Sequence, residues 1–316
     1  MSQCPLCNQK RVKDYIKIKN KTYKKCINCS LVFLENTGEE NKIYTNEYII
    51  KRCHNILNSS IIEAKKITSK YYLSFLKKYN PCGKLLEIGC STGISLKVAK
   101  DMGWEVYGLD INKSAVDIAR KFLNTDTIKT GELKKDMFPD NFFSVVLMFD
   151  VLEHIPEPNK YIKIINEKLK KNGFLLIITP NIFSLSGKIL KNKWYHLFPE
   201  HLCLYSKKSI KFLLEKYGFK ILKIGWAIKF VNFEMLKLHL QCHPDLFLSK
   251  ILLPFLKKIN LKIVFPFNIG EMYILAVLEI KNQISNIKNQ KLKYEIRSTK
   301  YETKSKFKKQ NDKKET

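Results

Sequence analysis

The stretch Leu85-Leu-Glu-Ile-Gly-Cys-Ser-Thr-Gly93 sets a short apolar run directly against a tight glycine turn, with a helical pattern beginning near Ile94. Glycine lets backbone approach a ligand closely, and the free N–H groups at a helix start favour a carboxylate or phosphate. Glu105-Val-Tyr-Gly-Leu-Asp110 follows. It is a second apolar run ending in an acid about 20 residues beyond the turn, where a carboxylate can accept both hydroxyls of a ribose. The two stretches agree on a nucleoside.

Two further constellations carry chemistry. Cys4-x-x-Cys7 and Cys26-x-x-Cys29, with 18 residues between the pairs, present four thiolates at the separation that one tetrahedral Zn²⁺ takes. Redox pairs are the alternative, but such pairs seldom come doubled at this spacing. The segment around them has too few apolar residues for its own core and needs a staple. Cysteines 53, 82, 90, 203 and 242 show no comparable pairing and read as small hydrophobes. Farther on, Pro199-Glu-His-Leu-Cys-Leu-Tyr-Ser206 puts Glu200 beside His201, just ahead of a helix that Ser206 can cap. A histidine near its ordinary pKa of ~6.5 takes a proton from a hydroxyl, or from carbon next to a carbonyl, and an adjacent carboxylate raises its basicity. The plainer alternative is a histidine that only closes a loop.

Elements of alternating type must position these residues. Ser59 to Asn80 reads as a helix stopped by Pro81. From Lys84 short apolar runs alternate with amphipathic stretches: Leu85 to Ile88, Glu105 to Leu109, Thr127 to Lys129, Ser144 to Phe149 and Phe174 to Ile178. That alternation predicts an α/β fold, a parallel sheet with helices on both faces. A helix at Ser206 to Tyr217, a strand at Phe219 to Trp226 and a late strand at Met272 to Ile280 complete a Rossmann-like sheet of seven strands. The expected organisation is a zinc-binding ribbon over 1–40, a linker and lid helix over 41–80, the core over 81–228, an insertion or lid over 229–269, the last strand over 270–281 and a basic disordered tail over 282–316. Within the insertion, the apolar residues and lysines of 245–260 could rest on a membrane surface; a cap packed on its own domain is the other reading.

The chain has 316 residues, 45% of them hydrophobic, enough for about two compact units and too globular in composition for a fibre. No run reaches the ~18 consecutive apolar residues of a membrane span. The N-terminus lacks a basic region followed by an apolar stretch, so a cytoplasmic protein is expected, with peripheral contact at the inner membrane through 245–260 the only membrane role. Lys and Arg number 57 against 29 Asp and Glu, a net charge of +28. That excess suits a polyanion, yet it is spread along the chain, as an A·T-biased genome produces. Nucleic acid is therefore not the favoured partner.

With these stretches in view, the chain resembles a class I S-adenosylmethionine-dependent methyltransferase, in the branch with an N-terminal zinc-binding segment, similar to sugar C-methyltransferases and ubiquinone-biosynthesis-type methyltransferases. Glu87-Ile-Gly-Cys-Ser-Thr-Gly93 resembles the family's first motif, Asp110 its ribose acid, Gly131-Glu132-Leu133 its adenine-contacting turn, and Phe149-Asp-Val-Leu-Glu-His-Ile-Pro156 its fourth motif. The match runs over roughly Tyr71 to Trp226 and resumes at the last strand. The resemblance implies that Gly89, Cys90, Ser91 and Gly93, with Glu87, lie under the methionine part of S-adenosylmethionine. Asp110 then holds ribose, Ile111 packs on adenine, Glu132 and Leu133 meet the adenine edge, and Asp150 lies near the methionine end. It also implies Glu200 and His201 at the active site, with Tyr44 and Tyr48 reaching over the acceptor, and His154 as a packed residue of its motif. Ser91 departs from the family's usual glycine and makes the string match the G-x-S-x-G elbow of serine hydrolases. That elbow normally follows several strands, whereas this turn ends the first strand of its sheet.

The implied function is methylation, at carbon or oxygen, of a hydroxylated small molecule such as a nucleotide-linked sugar or surface-glycan precursor. An RNA methyltransferase using the basic surface and a non-catalytic zinc-anchored scaffold are the alternatives.

Overall fold

A computed structural model describes residues 3–18, 21–35, 59–77, 79, 83–197, 200–242, 253–256 and 263–279. A seven-stranded sheet forms its centre, in the order β10-β13-β8-β7-β4-β5-β6. The strands are β4 (Lys84–Ile88), β5 (Glu105–Asp110), β6 (Ile128–Thr130), β7 (Phe143–Phe149), β8 (Leu169–Pro180), β10 (Phe219–Trp226) and β13 (Glu271–Leu278). β4 pairs parallel with both β5 and β7, and β7 pairs parallel with β8. β13 runs antiparallel between β8 and β10. The central strands are apolar on both faces: five of the seven residues of β7 are buried, as expected where helices cover both sides.

Those helices come from the stretches between strands. On one face α1 (Ser59–Lys77) buries Tyr72, Leu73 and Leu76 in the same cluster as Leu96 and Ala99 of α2 (Ile94–Asp101) and Val116 and Ala119 of α3 (Lys113–Leu123). The other face takes α4 (Pro158–Lys168) and α6 (Lys207–Lys216), through Ile162, Ile165, Ile210 and Leu213. Local chemistry sets the ends. The Asn112 side chain accepts from Ala115 N to start α3, and Asn124 closes it in the left-handed region. Ser206 and Ser209 form a reciprocal cap at the start of α6.

The N-terminal segment forms a second sheet from β1 (Val12–Ile18), β2 (Lys21–Cys26) and β3 (Val32–Leu34), and its fourth strand is β9 (Cys203–Leu204), far along the chain. Residues through Leu278 belong to one compact unit. A hairpin of β11 (Lys229–Asn232) and β12 (Val264–Phe267), with α7 (Phe233–Cys242), lies inside the expected insertion.

Several boundaries differ from expectation. β8 runs over twelve residues instead of five because its start pairs with Phe143 and its end with Glu271. α1 ends at Lys77, and the last strand begins at Glu271 and ends at Leu278. The third strand is shifted one residue, to Ile128–Thr130, by pairing with Gly108 to Asp110. No helix among the described residues is long and apolar enough to cross a membrane.

Candidate active site

The turn after β4 is built on three left-handed residues, Gly89 at φ 74°, Ser91 at φ 48° and Gly93 at φ 80°. At Gly89 a side chain has no room: an added Cβ would lie 2.3 Å from Val151 Cγ2. Ser91, unlike glycine, costs about 1 kcal/mol in this conformation, and its backbone is tied down. Its N–H donates to Asp110 Oδ2 at 2.8 Å, while Asn112 N–H donates to Oδ1 at 2.9 Å. Burial pushes the Asp110 carboxyl up and the two N–H bonds pull it back. The acid at the end of β5 therefore locks the turn after β4.

Around this turn the other expected donor contacts fall at successive strand ends. Ile111 is 51% exposed, a large apolar side chain left on the surface directly after the acid. Glu132 is exposed and Leu133 buried, with Leu133 N–H donating to Tyr161 Oη at 3.4 Å. Cys90 is buried, and burial raises its thiol pKa. Asp150, at φ 57°, holds Lys229 Nζ at 2.6 Å. Glu87 is 3% exposed and its Oε2 has no hydrogen-bond partner. Burial pushes its carboxyl up to about 8, against the smaller opposing pulls of a Ser95 hydrogen bond and the Lys65 charge.

A second cluster forms at the same strand ends. The His154 and His201 rings meet edge to face, with centroids 4.7 Å apart. His154 Nδ1 lies 2.9 Å from the Glu200 carbonyl oxygen, and His201 Nδ1 lies 2.6 Å from that of His196. A ring nitrogen facing a carbonyl must carry its hydrogen, so in the neutral ring the lone pair sits on Nε2. One ring nitrogen of each histidine and a carboxylate oxygen of Glu153 lie within 4.8 Å of one another. Glu153 is buried, accepts from Thr179 Oγ1 at 2.9 Å, and is pushed up by burial and by the Asp150 charge. Such a group can share a proton or hold a divalent cation.

The carboxylate that reaches this cluster is thus Glu153, whereas Glu200 reaches it through its main-chain carbonyl. The sequence reading of His154 as packing alone missed this meeting; the string Glu153-His154 was visible, but its partner lies 47 positions on. Lys229, also missed, sits between Asp150 and Glu271 Oε1 at 2.8 Å. Burial opposes its charge, but the two carboxylates prevail and hold its pKa above the ordinary lysine range. Tyr44 and Tyr48 lie outside the described residues, as does most of 245–260.

The four cysteines meet in the ribbon. Cys4 Sγ lies 3.6 Å from Cys29 Sγ, Cys7 Sγ lies 3.4 Å from Cys26 Sγ, and all four are within 4.8 Å of one another. A tetrahedral ion with ~2.3 Å bonds to sulfur separates its ligands by ~3.8 Å, so the quartet fits a metal and is too open for disulfides. The hydrogen bond between Cys4 and Cys29 pulls the first thiol down and pushes the second up.

The family model for a methyltransferase domain matches residues 62–224, half of the chain, from within α1 to within β10. The chain belongs to the class I S-adenosylmethionine-dependent methyltransferases. The resemblance drawn from the first and fourth motifs therefore holds for family and fold, and the hydrolase reading of Ser91 falls. Among curated relatives of this methyltransferase, a ubiquinone biosynthesis O-methyltransferase of Pelagibacter ubique is 28% identical over 168 residues, 46% of this chain and 69% of that protein. Its Schizosaccharomyces pombe mitochondrial namesake is 31% identical over 30% of this chain and 37% of its own length. A Galdieria sulphuraria structure, provisionally assigned as a sarcosine dimethylglycine methyltransferase, superimposes with a TM-score of 0.50 at 15% identity, covering 69% of this chain and 88% of that one. That likeness concerns the fold.

Proposed function

We propose that this methyltransferase acts on a hydroxylated small molecule, a nucleotide-linked sugar or surface-glycan precursor, and methylates it at oxygen or carbon. The supporting observation is the proton-accepting cluster of Glu153, His154 and His201 at the same strand ends as the donor turn. S-adenosylmethionine, when bound, supplies a methyl group already activated on a sulfonium. The chain then has to position donor and acceptor and remove a proton. Asp110 would hold the ribose, Ile111 would cover adenine, Glu132 and Leu133 would meet its edge, and Gly89, Cys90, Ser91 and Gly93 would pass beneath the methionine part, near Glu87 and Asp150. His201, fixed through Nδ1 by the His196 carbonyl, takes the acceptor proton on Nε2. His154 and Glu153 stabilise the charge it gains.

The Glu200-His201 stretch supports the sugar class through its likeness to sugar C-methyltransferases. A phenolic acceptor is the second reading, favoured by relatives that are ubiquinone biosynthesis O-methyltransferases. Cys4, Cys7, Cys26 and Cys29 are proposed to hold a structural zinc ion, on the strength of their spacing.

The test begins with calorimetry of S-adenosylmethionine on the zinc-loaded protein. Micromolar binding that Asp110→Ala abolishes supports the donor assignment; no binding by the folded protein overturns it. Turnover on nucleotide sugars, with catechols in parallel, then separates the two acceptor classes. His201→Ala that binds donor normally and turns over unchanged removes the base.

A further inference from the structure

The loop carrying His201 belongs to two sheets at once. On one side β9 pairs with β3 of the ribbon, Val32 opposite Leu204 and Phe33 opposite Cys203, and Leu34 N–H donates to the Leu202 carbonyl at 2.9 Å. On the other side Tyr205 bridges Asn181, and Ile182 N–H donates to the Tyr205 carbonyl at 3.0 Å, at the end of β8. Tyr23, a buried residue of β2, donates from Oη to the main-chain oxygen of His201 itself at 3.3 Å.

The ribbon is in turn anchored to the catalytic domain. Asn159, in the first turn of α4, donates through Nδ2 to the Pro5 and Leu6 carbonyls at 2.7 and 2.9 Å, inside the first cysteine knuckle. Cys4, Leu6, Cys26, Cys29 and Leu31 share one continuous apolar cluster with Leu152, Cys203 and Tyr205. The donor turn is held from elsewhere, by Gly89 N–H to the Leu109 carbonyl at 2.7 Å and Ser91 N–H to Asp110 Oδ2 at 2.8 Å, although Leu133 shares the apolar cluster with the ribbon.

We infer that the four-cysteine ribbon is the positioning element of the acceptor half, with strand β3 and Tyr23 holding His201 in register with His154, while the turn after β4 and Asp110 are held without it. The inference rests on the proposed role of His201 for its catalytic meaning, but the positioning itself is a structural statement that can be read without an acceptor.

Two variants of the full-length protein test it. Leu34→Pro deletes the one N–H that β3 gives to Leu202, and leaves in place the Glu35 N–H bond to the Thr22 carbonyl and the Cys26 N–H bond to the Leu31 carbonyl, which flank the pairing of β3 with β2. Tyr23→Phe removes only the hydroxyl. Each is labelled with ¹⁵N-histidine, and the His201 ring signals are assigned through their loss in His201→Ala. In the wild type the Nδ1–H bonded to the His196 carbonyl should give a slowly exchanging resonance. In Leu34→Pro that resonance should broaden or vanish, and in Tyr23→Phe it should shift in the same direction. The dissociation constant for S-adenosylmethionine should stay within about twofold of wild type in both, since no donor contact changes.

An unmoved His201 ring in both variants overturns the inference. So does a parallel loss of donor binding, which would make the ribbon a general support of the fold. Should Leu34→Pro fail to fold, Tyr23→Phe decides alone. If the ring moves while His201→Ala keeps full turnover, positioning stands and the proposed base fails, so the two claims are separable.

Discussion

Glu87 offers the sharpest quantitative test of how this fold accommodates its donor site. Its carboxyl is buried, its Oε2 has no partner, and burial lifts its pKa from an ordinary 4.5 to about 8. A carboxylate whose folded pKa is raised binds more protons in the folded state, so stability falls as pH climbs from the unfolded value to the folded one. Below pH ~4.5 both states are protonated and the penalty is absent. At pH 7 it reaches an upper bound of ~3 kcal/mol, from ~1.4 kcal/mol per pH unit over the window. Glu87→Gln keeps the shape and removes the charge. The variant should therefore match the wild type in urea unfolding near pH 4.5 and become progressively more stable towards pH 8, with an unchanged m-value. A stability difference that stays constant between pH 5 and pH 8 would refute the reasoning, because it would mean that Glu87 titrates alike in both states.

Two other perturbations follow from the same strand ends. Gly89→Ala places a Cβ 2.3 Å from Val151 Cγ2 at a φ of 74°, so it should cost ~1–3 kcal/mol in thermal or urea unfolding and abolish calorimetric binding of S-adenosylmethionine. Lys229→Met strands Asp150 and Glu271, which now share that ammonium. It should cost about 3 kcal/mol at pH 8 and recover much of that by pH 5, where Glu271, pushed up to about 7 by burial, is protonated; equal destabilisation at both pH values would exclude the ion triad as its cause.

What the sequence made legible follows the physics of local pattern. The apolar run ending at Gly89 and the acid at Asp110 each carry their own local punctuation, so the turn and both strands could be placed. The strand Phe219–Trp226 was read to the residue because an apolar run bounded by a helix end marks both its limits. β9 was invisible: two residues have no period, and only β3, far away in the chain, makes them a strand. The same limit hid the site's electrostatics. Glu153, His154 and His201 are each ordinary in sequence, and it is the sheet that brings a carboxylate and two rings together. Lys229 looked like the first residue of an insertion, although its pairing with Asp150 makes it part of the strand-end machinery.

The shared strand also has a consequence for how the protein comes into being. Tyr23 and His201 are 178 positions apart, and β3 meets β9 across nearly the same distance. Contacts of such long range are formed late and slowly. On a ribosome the N-terminal hairpin emerges first, yet one edge of its sheet has no partner until most of the catalytic domain has been synthesised. A growing chain thus exposes β3 as an open edge for most of its synthesis, a surface on which a second nascent chain could pair. Expression that is slowed after residue 204, or assisted by a chaperone that shields extended segments, should raise the yield of soluble protein more than a change made in the central sheet.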